Sequence, residues 1–143
     1  MVGFTTSELA VRDVMAANFQ DLVPDECCVA GNLDSLLDAM FSRAAPFGIY
    51  LDYGGGRPKN AKVFGKNSWT WNVTGFVIMH YSDEVDGLLR QVIDRLHQLF
   101  ITNPTLDKKV SFAEILEIAA PEMSQINDTP FYWLPFTVSV TDL

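Results

Sequence analysis

With 143 residues and 48% apolar composition, the chain suits a single domain that buries roughly two thirds of its unfolded surface without covalent staples. Its net charge of −8 argues against a surface that grips phosphate backbones, because nonspecific affinity for nucleic acid comes from lysine and arginine displacing counterions. The adjacent Cys27 and Cys28 cannot form a disulfide framework, which points to an intracellular setting, and no stretch reaches the roughly 18 apolar residues of a membrane span.

The opening MVGFTTSELA lacks a basic region followed by an apolar run, so no secretion signal is expected. Thr5-Thr6-Ser7-Glu8 matches a capping box, and Leu9, Val14, Met15, Phe19 and Leu22 keep helical spacing until Pro24. Pro24 to Gly31 reads as a connector. Asn32 can cap a second helix whose Leu33, Leu36, Leu37, Met40 and Phe41 line one side, ended by Pro46 and Gly48. Ile49, Leu51 and Tyr53 alternate with Tyr50 and Asp52, a short strand stopped by three glycines.

The long apolar run WTWNVTGFVIMHY follows. Alternation puts Trp69, Trp71, Val73, Val77, Met79 and Tyr81 on one face and Thr70, Asn72, Thr74, Phe76, Ile78 and His80 on the other. Thirteen residues would span about 43 Å, far beyond a usual strand, so a protrusion with a bend at Gly75 is expected. The strands at 48–53 and 68–81 should form an antiparallel hairpin, with 54–67 as a long connection that orders on assembly.

A helix is expected from Ser82, with Leu88, Leu89, Val92, Ile93, Leu96, Leu99 and Phe100 forming one wide apolar stripe and Pro104 ending it. Ser111 and Glu114 resemble another capping box while Ile115 to Ala120 would also serve as a strand; a helical turn followed by a strand is the reading adopted. In FYWLPFTVSVTDL, Leu134, Phe136, Val138 and Val140 share a face, and Pro135 argues against a central position for that half. The expected fold is α+β in the order α-α-β-β-α-β-β: one domain over 1–143 whose helices flank a mixed four-stranded sheet, with a long hairpin arm.

The charge is unevenly distributed. Arg57, Lys59, Lys62 and Lys66 place four of the ten cations in ten residues that hold no acid, leaving six cations against 18 acids elsewhere, a local +4 on a body of −12. No chemistry accompanies this arm. GGGRPKNAKVFGKNS fails the phosphate-loop spacing at Asn60 and Asn67, and a strand follows it where a helix should. His80 and His97 have no nucleophile and orienting acid placed beside them, and the two cysteines lack a second ligand pair. Trp69, Trp71, Tyr132 and Trp133 could be imagined as a base-stacking platform, but the acidic body opposes it. No catalytic, cofactor or metal site is expected, and no enzymatic activity.

The order of elements resembles the tail terminator proteins of long-tailed bacteriophages. The resemblance rests on WTWNVTGFVIMHY, DEVDGLLRQVIDRLHQLF, the NPTL exit and the closing NDTPFYWLPFTVSV, and departs at EILEIAAPEM. It implies a mixed sheet flanked by helices and a homo-hexameric ring that caps the finished tail tube. Its partners would be further copies of itself, the tail tube protein and a head-neck connector protein. The implied location is the neck end of the virion tail, after assembly in the host cytoplasm. On that reading Arg57, Lys59, Lys62 and Lys66 form a subunit-interface arm that meets an acidic face of the next copy. An acidic lumen would let DNA pass without adhering. Two other readings are a head-completion or connector ring of the neck and, further off, a small cytoplasmic enzyme or ligand-binding domain.

Overall fold

A computed structural model describes residues 3–54, 59–63 and 66–142, with side chains for all of these except 59–63, 66–68 and 142. Helix α1 spans Phe4–Asn18, and a short 3-10 turn, Asp25–Cys27, leads into strand β1, Cys28–Ala30. Helix α2 (Leu33–Arg43) is followed by β2 (Phe47–Tyr53), β3 (Lys59–Val63) and β4 (Lys66–His80). Helix α3 (Val85–Thr102) then crosses over to β5 (Phe112–Ile118), β6 (Glu122–Ile126) and β7 (Thr129–Asp142).

The mixed α+β class holds, but the sheet is larger than the four strands expected. Among the described residues its order is β1-β2-β4-β7-β5, with β3 also on β4 and β6 also on β7. The antiparallel hairpin holds: Phe47 pairs with Met79 and Tyr53 with Val73. Its connection is not a plain loop, because Lys59 pairs with Thr70 and Val63 with Lys66, so β3 continues the line of β2 along the same side of β4. Residues 55–58 and 64–65 of that connection lie outside the described residues. The mixed character comes from β1, which runs parallel to β2; the remaining pairings are antiparallel.

β4 is the spine. It stays in continuous register through Gly75 with both β2 and β7, so no bulge or break in pairing marks the position where a bend was expected. The protrusion is also shorter than expected: Trp69 still pairs with Asp142, and only Lys66 to Ser68 run past β7 with β3 alone. β7 is central, contrary to the expectation from Pro135. β5 ends opposite Phe136 and β6 begins opposite Trp133, so Pro135 faces the break between them. There its carbonyl accepts from the Ala119 N–H at 2.8 Å. A residue's N and O point to the same side of a strand, so the missing N–H costs no bond to β4.

Several helix ends also differ. α1 begins at Phe4 with Gly3 as its cap residue; the Ser7 hydroxyl donates back to the Gly3 carbonyl at 2.9 Å, and the capping box does not form. Asn32 does cap α2, accepting from the Ser35 N–H at 3.1 Å. That helix stops at Arg43 because Ala44 turns left-handed (φ 50°), ahead of the proline expected to end it. α3 starts at Val85 behind Glu84, with no side-chain cap from Ser82. No helical turn precedes β5: strand pairing begins at Phe112, opposite Thr141.

The core lies between the sheet and α1 with α3. Ile49, Leu51, Val73, Val77, Leu134, Phe136, Val138 and Val140 face Val11, Met15, Phe19, Val92, Leu96 and Phe100 in one buried cluster. Burying each such side chain contributes about 1.5–3 kcal/mol. Helix α2 covers one end of the opposite face, where a Cβ at Gly48 would lie 2.6 Å from Leu36 Cδ1 and 2.7 Å from Met40 Sδ. Beyond α2 that face stays partly open.

Candidate assembly surface

The two sides of the sheet end differently. Among the described residues β3 pairs with β4 alone, and β5 and β6 with β7 alone, so both sides of the sheet carry strands with an edge that no other strand covers. Free edges present unpaired N–H and C=O groups that another chain can meet. Lys59 and Lys62 stand on β3 and Lys66 opens β4, paired with Val63; the side chains of all three, and the whole of Arg57, lie outside the described residues. The backbone therefore gathers Lys59, Lys62 and Lys66 into one hairpin, at the sheet side opposite β5 and β6.

The far edge is acidic and partly apolar. β5, FAEILEI, holds Glu114 and Glu117 and no cation, and β6 adds Glu122. Glu114 pairs across from Ser139 and Glu117 from Thr137. Three residues apart, these acids would point to opposite faces of a regular strand; an irregularity between Ile115 and Glu117 resets the alternation, so both share the open face. Phe112, Leu116 and Met123 on the same two strands are 45%, 53% and 57% exposed. Beside Phe112, His97, Phe100, Ile101, Pro104 and Glu114 line an apolar groove of about 320 Å³.

Ion pairs within the body involve few of its acids. Arg12 binds Asp25 at 2.7 Å and Asp13 at 3.1 Å, Arg43 binds Glu26 at 2.8 Å, Lys109 reaches Asp13 at 3.3 Å, and Arg95 holds Asp21 at 2.6 Å. The hydrogen bond from Arg95 keeps the Asp21 carboxyl below its usual range. Glu114, Glu117, Glu122, Asp34, Asp38, Asp83, Glu84 and Asp86 are exposed and have no ion pair among the described residues. A cationic partner surface would meet them unshielded by internal pairs.

The residues considered for chemistry are scattered. His80 lies between the rings of Phe41 and Phe131, and His97 is exposed at the groove. Both cysteines are buried, and burial pushes the Cys28 thiol up to about 12. Among the described residues no group of three or more His, Cys, Asp or Glu is placed to hold a metal ion. The aromatic residues do not form one platform. Trp71 packs near Phe4 on the helix-covered face, whereas Trp133 meets Phe76 on the open one. No helix of the described residues is long and apolar enough to cross a membrane.

The arm was visible in the sequence as a run of cations. The acidic edge was not, because Glu114 and Glu117 fall in a segment read partly as helix and their shared face depends on the irregularity between them. Comparison with protein-family models and with curated proteins finds no match.

Proposed function

We propose that the chain is a structural subunit that assembles head to tail into a closed ring, and that the ring caps a phage tail tube, ends its growth and offers the head a docking surface. The observation that carries the ring is the placement of a cationic hairpin and an acidic edge on opposite sides of one sheet. Two unlike surfaces on opposite sides make a heterologous contact, and such contacts close when the rotation between copies permits. Closure limits growth without any catalytic step. The assignment to the tail follows from the resemblance in element order, with a homo-hexamer, the tail tube protein and a head-neck connector protein as the partners implied. Acids left outside internal ion pairs suit a lumen through which DNA passes without adhering.

Native mass spectrometry on the purified chain, followed by sedimentation with isolated tail tubes, tests both halves. A discrete ring that binds tube ends is the expected result. A single-chain mass at every concentration would overturn the ring. A ring that binds DNA-filled heads and ignores tubes would move it to the neck.

A further inference from the structure

We propose that neighbouring copies join by strand pairing: β3 of one copy lies antiparallel against the free edge of β5 of the next, so that a single sheet continues from subunit to subunit. The inference rests on the ring reading and specifies its contact. Among the described residues each strand pairs with one neighbouring strand, β3 with β4 and β5 with β7, and the outer edge of β5 is open beyond Ala113, whose N–H donates to the Pro104 carbonyl at 2.6 Å. They also have compatible lengths, five residues in β3 and seven in β5.

Strand direction decides the geometry. β3 runs antiparallel to β4, β4 to β7, and β5 to β7, so β3 and β5 are antiparallel within one copy. A neighbour added head to tail keeps its sheet direction, and its β3 therefore arrives at β5 already antiparallel. No inversion of the incoming copy is needed. Within one copy, Lys59 and Phe112 stand in nearly the same row, because Lys59 pairs with Thr70, Thr70 with Thr141 and Thr141 with Phe112. β3 extends outward from that row and β5 inward, so pairing staggers each copy along the strand direction. Staggered strands tilt relative to the axis of a closed assembly, as they do in a barrel.

Charge selects this pairing over the symmetric ones. A two-fold contact of β5 with β5 would set Glu114 and Glu117 among the same acids of the second copy, and β3 with β3 would gather cations alone; by register Lys59, opposite Thr70, shares the face of Glu114 and Glu117, while Lys62, opposite Asn67, stands on the other. Like charges directly across a ladder destabilise it, while unlike ones support it. Only the unlike edges match. The exposed Phe112 and Leu116 on β5 add apolar surface that a second strand would cover.

The test uses the intact chain in two charge-reversed forms, Glu114→Lys with Glu117→Lys, and Lys59→Glu with Lys62→Glu. The first has cations on both edges and the second has acids on both. Each alone should sediment as a single chain, with the circular dichroism of the wild type. An equimolar mixture should recover the ring, with the two forms alternating. Hydrogen exchange then separates a ladder from a side-chain contact: β5 amides should exchange at least tenfold more slowly in the wild-type ring than in either single-chain form. If the wild type forms a ring that the β5 reversal leaves intact, the strand contact is overturned while the ring stands. If the variants behave as expected but β5 exchange is unchanged, the ladder is overturned and charge contact alone remains. A wild type that never assembles removes both.

Discussion

The ring of Phe136 on β7 fills the space above Gly75 on β4, the residue directly across the ladder from it. A Cβ at Gly75 would collide with Cζ and both Cε atoms of that ring. The glycine thus serves as a socket in the middle of the sheet, and Phe136, 1% exposed, is anchored by it. Filling the socket is expected to destabilise the fold. Gly75→Ala should cost about 1–3 kcal/mol by overpacking, and Phe136→Leu introduced into that variant should return part of the loss. Urea unfolding of the two single variants and the double variant gives the coupling. Additive losses would mean that the ring moves aside freely.

Glu8 supplies a pH dependence. Burial, and then the charge of Asp52, raise its carboxyl above the ordinary value of 4.5. The folded state therefore holds the proton more tightly than the unfolded state does. Its contribution is most favourable below the unfolded pKa and is lost as pH rises through the folded one. Glu8→Gln should accordingly stabilise the protein at neutral pH, with the gain shrinking as the pH falls toward 4. Thermal unfolding across that range measures it, and a gain independent of pH would exclude the carboxyl as its source.

The cysteines should be silent in the native state. Cys27 and Cys28 are 0% and 2% exposed, and burial raises both thiols, that of Cys28 to about 12. Thiolate is the reactive form, so a thiol reagent near neutral pH should label neither until the chain unfolds. Labelling followed against denaturant should track the circular dichroism transition. Rapid native labelling would show that the region around β1 opens locally.

Reversing Lys59 and Lys62 to glutamate should abolish assembly while leaving the fold intact, since the buried cluster of the described residues is built from other elements. A single exposed ion pair contributes only about 0–1 kcal/mol, so one substitution could pass unnoticed. Two reversals replace attraction with repulsion at every contact of the ring, where like charges can cost several kcal/mol. Raised salt should weaken the wild-type ring in the same direction, over a screening length of about 8–10 Å. Sizing chromatography with circular dichroism reads both effects; an intact ring would assign the lysines to another partner.

The parts of this fold that were legible are those where one periodicity dominates. The alternation in WTWNVTGFVIMHY and FTVSV, and the stripe from Leu88 to Phe100, correspond to β4, β7 and α3. The strands that escaped are short and lack an apolar signature. β1 has three residues, β6 reads EMSQI, and β3 reads KNAKV, whose membership in the sheet comes from the neighbour it meets. Pro135 misled for a related reason: a proline is excluded from a central strand only where its N–H would have had a partner, and a break between two other strands is invisible in the local sequence. The lysine arm could be read as a charge run, whereas the acidic edge opposite needed the β5 register before it became a surface.

The pairing of β4 with β7 also governs how the chain reaches its native state. β2 and β4 are close in sequence, with β3 the one described strand between them, but β4 and β7 meet only after α3, β5 and β6 have been spanned. Closing so long an intervening segment costs entropy before its contacts return any stability, and a high contact order slows folding. The β2–β4 hairpin can form early, while the far side of β4 waits for β7. During that interval the apolar row of Val73, Val77 and Met79 has only half of its sheet beside it. The slowest step of folding should then be the arrival of β7, and substitutions along Leu134 to Val140 should retard refolding more than equally destabilising ones in α2.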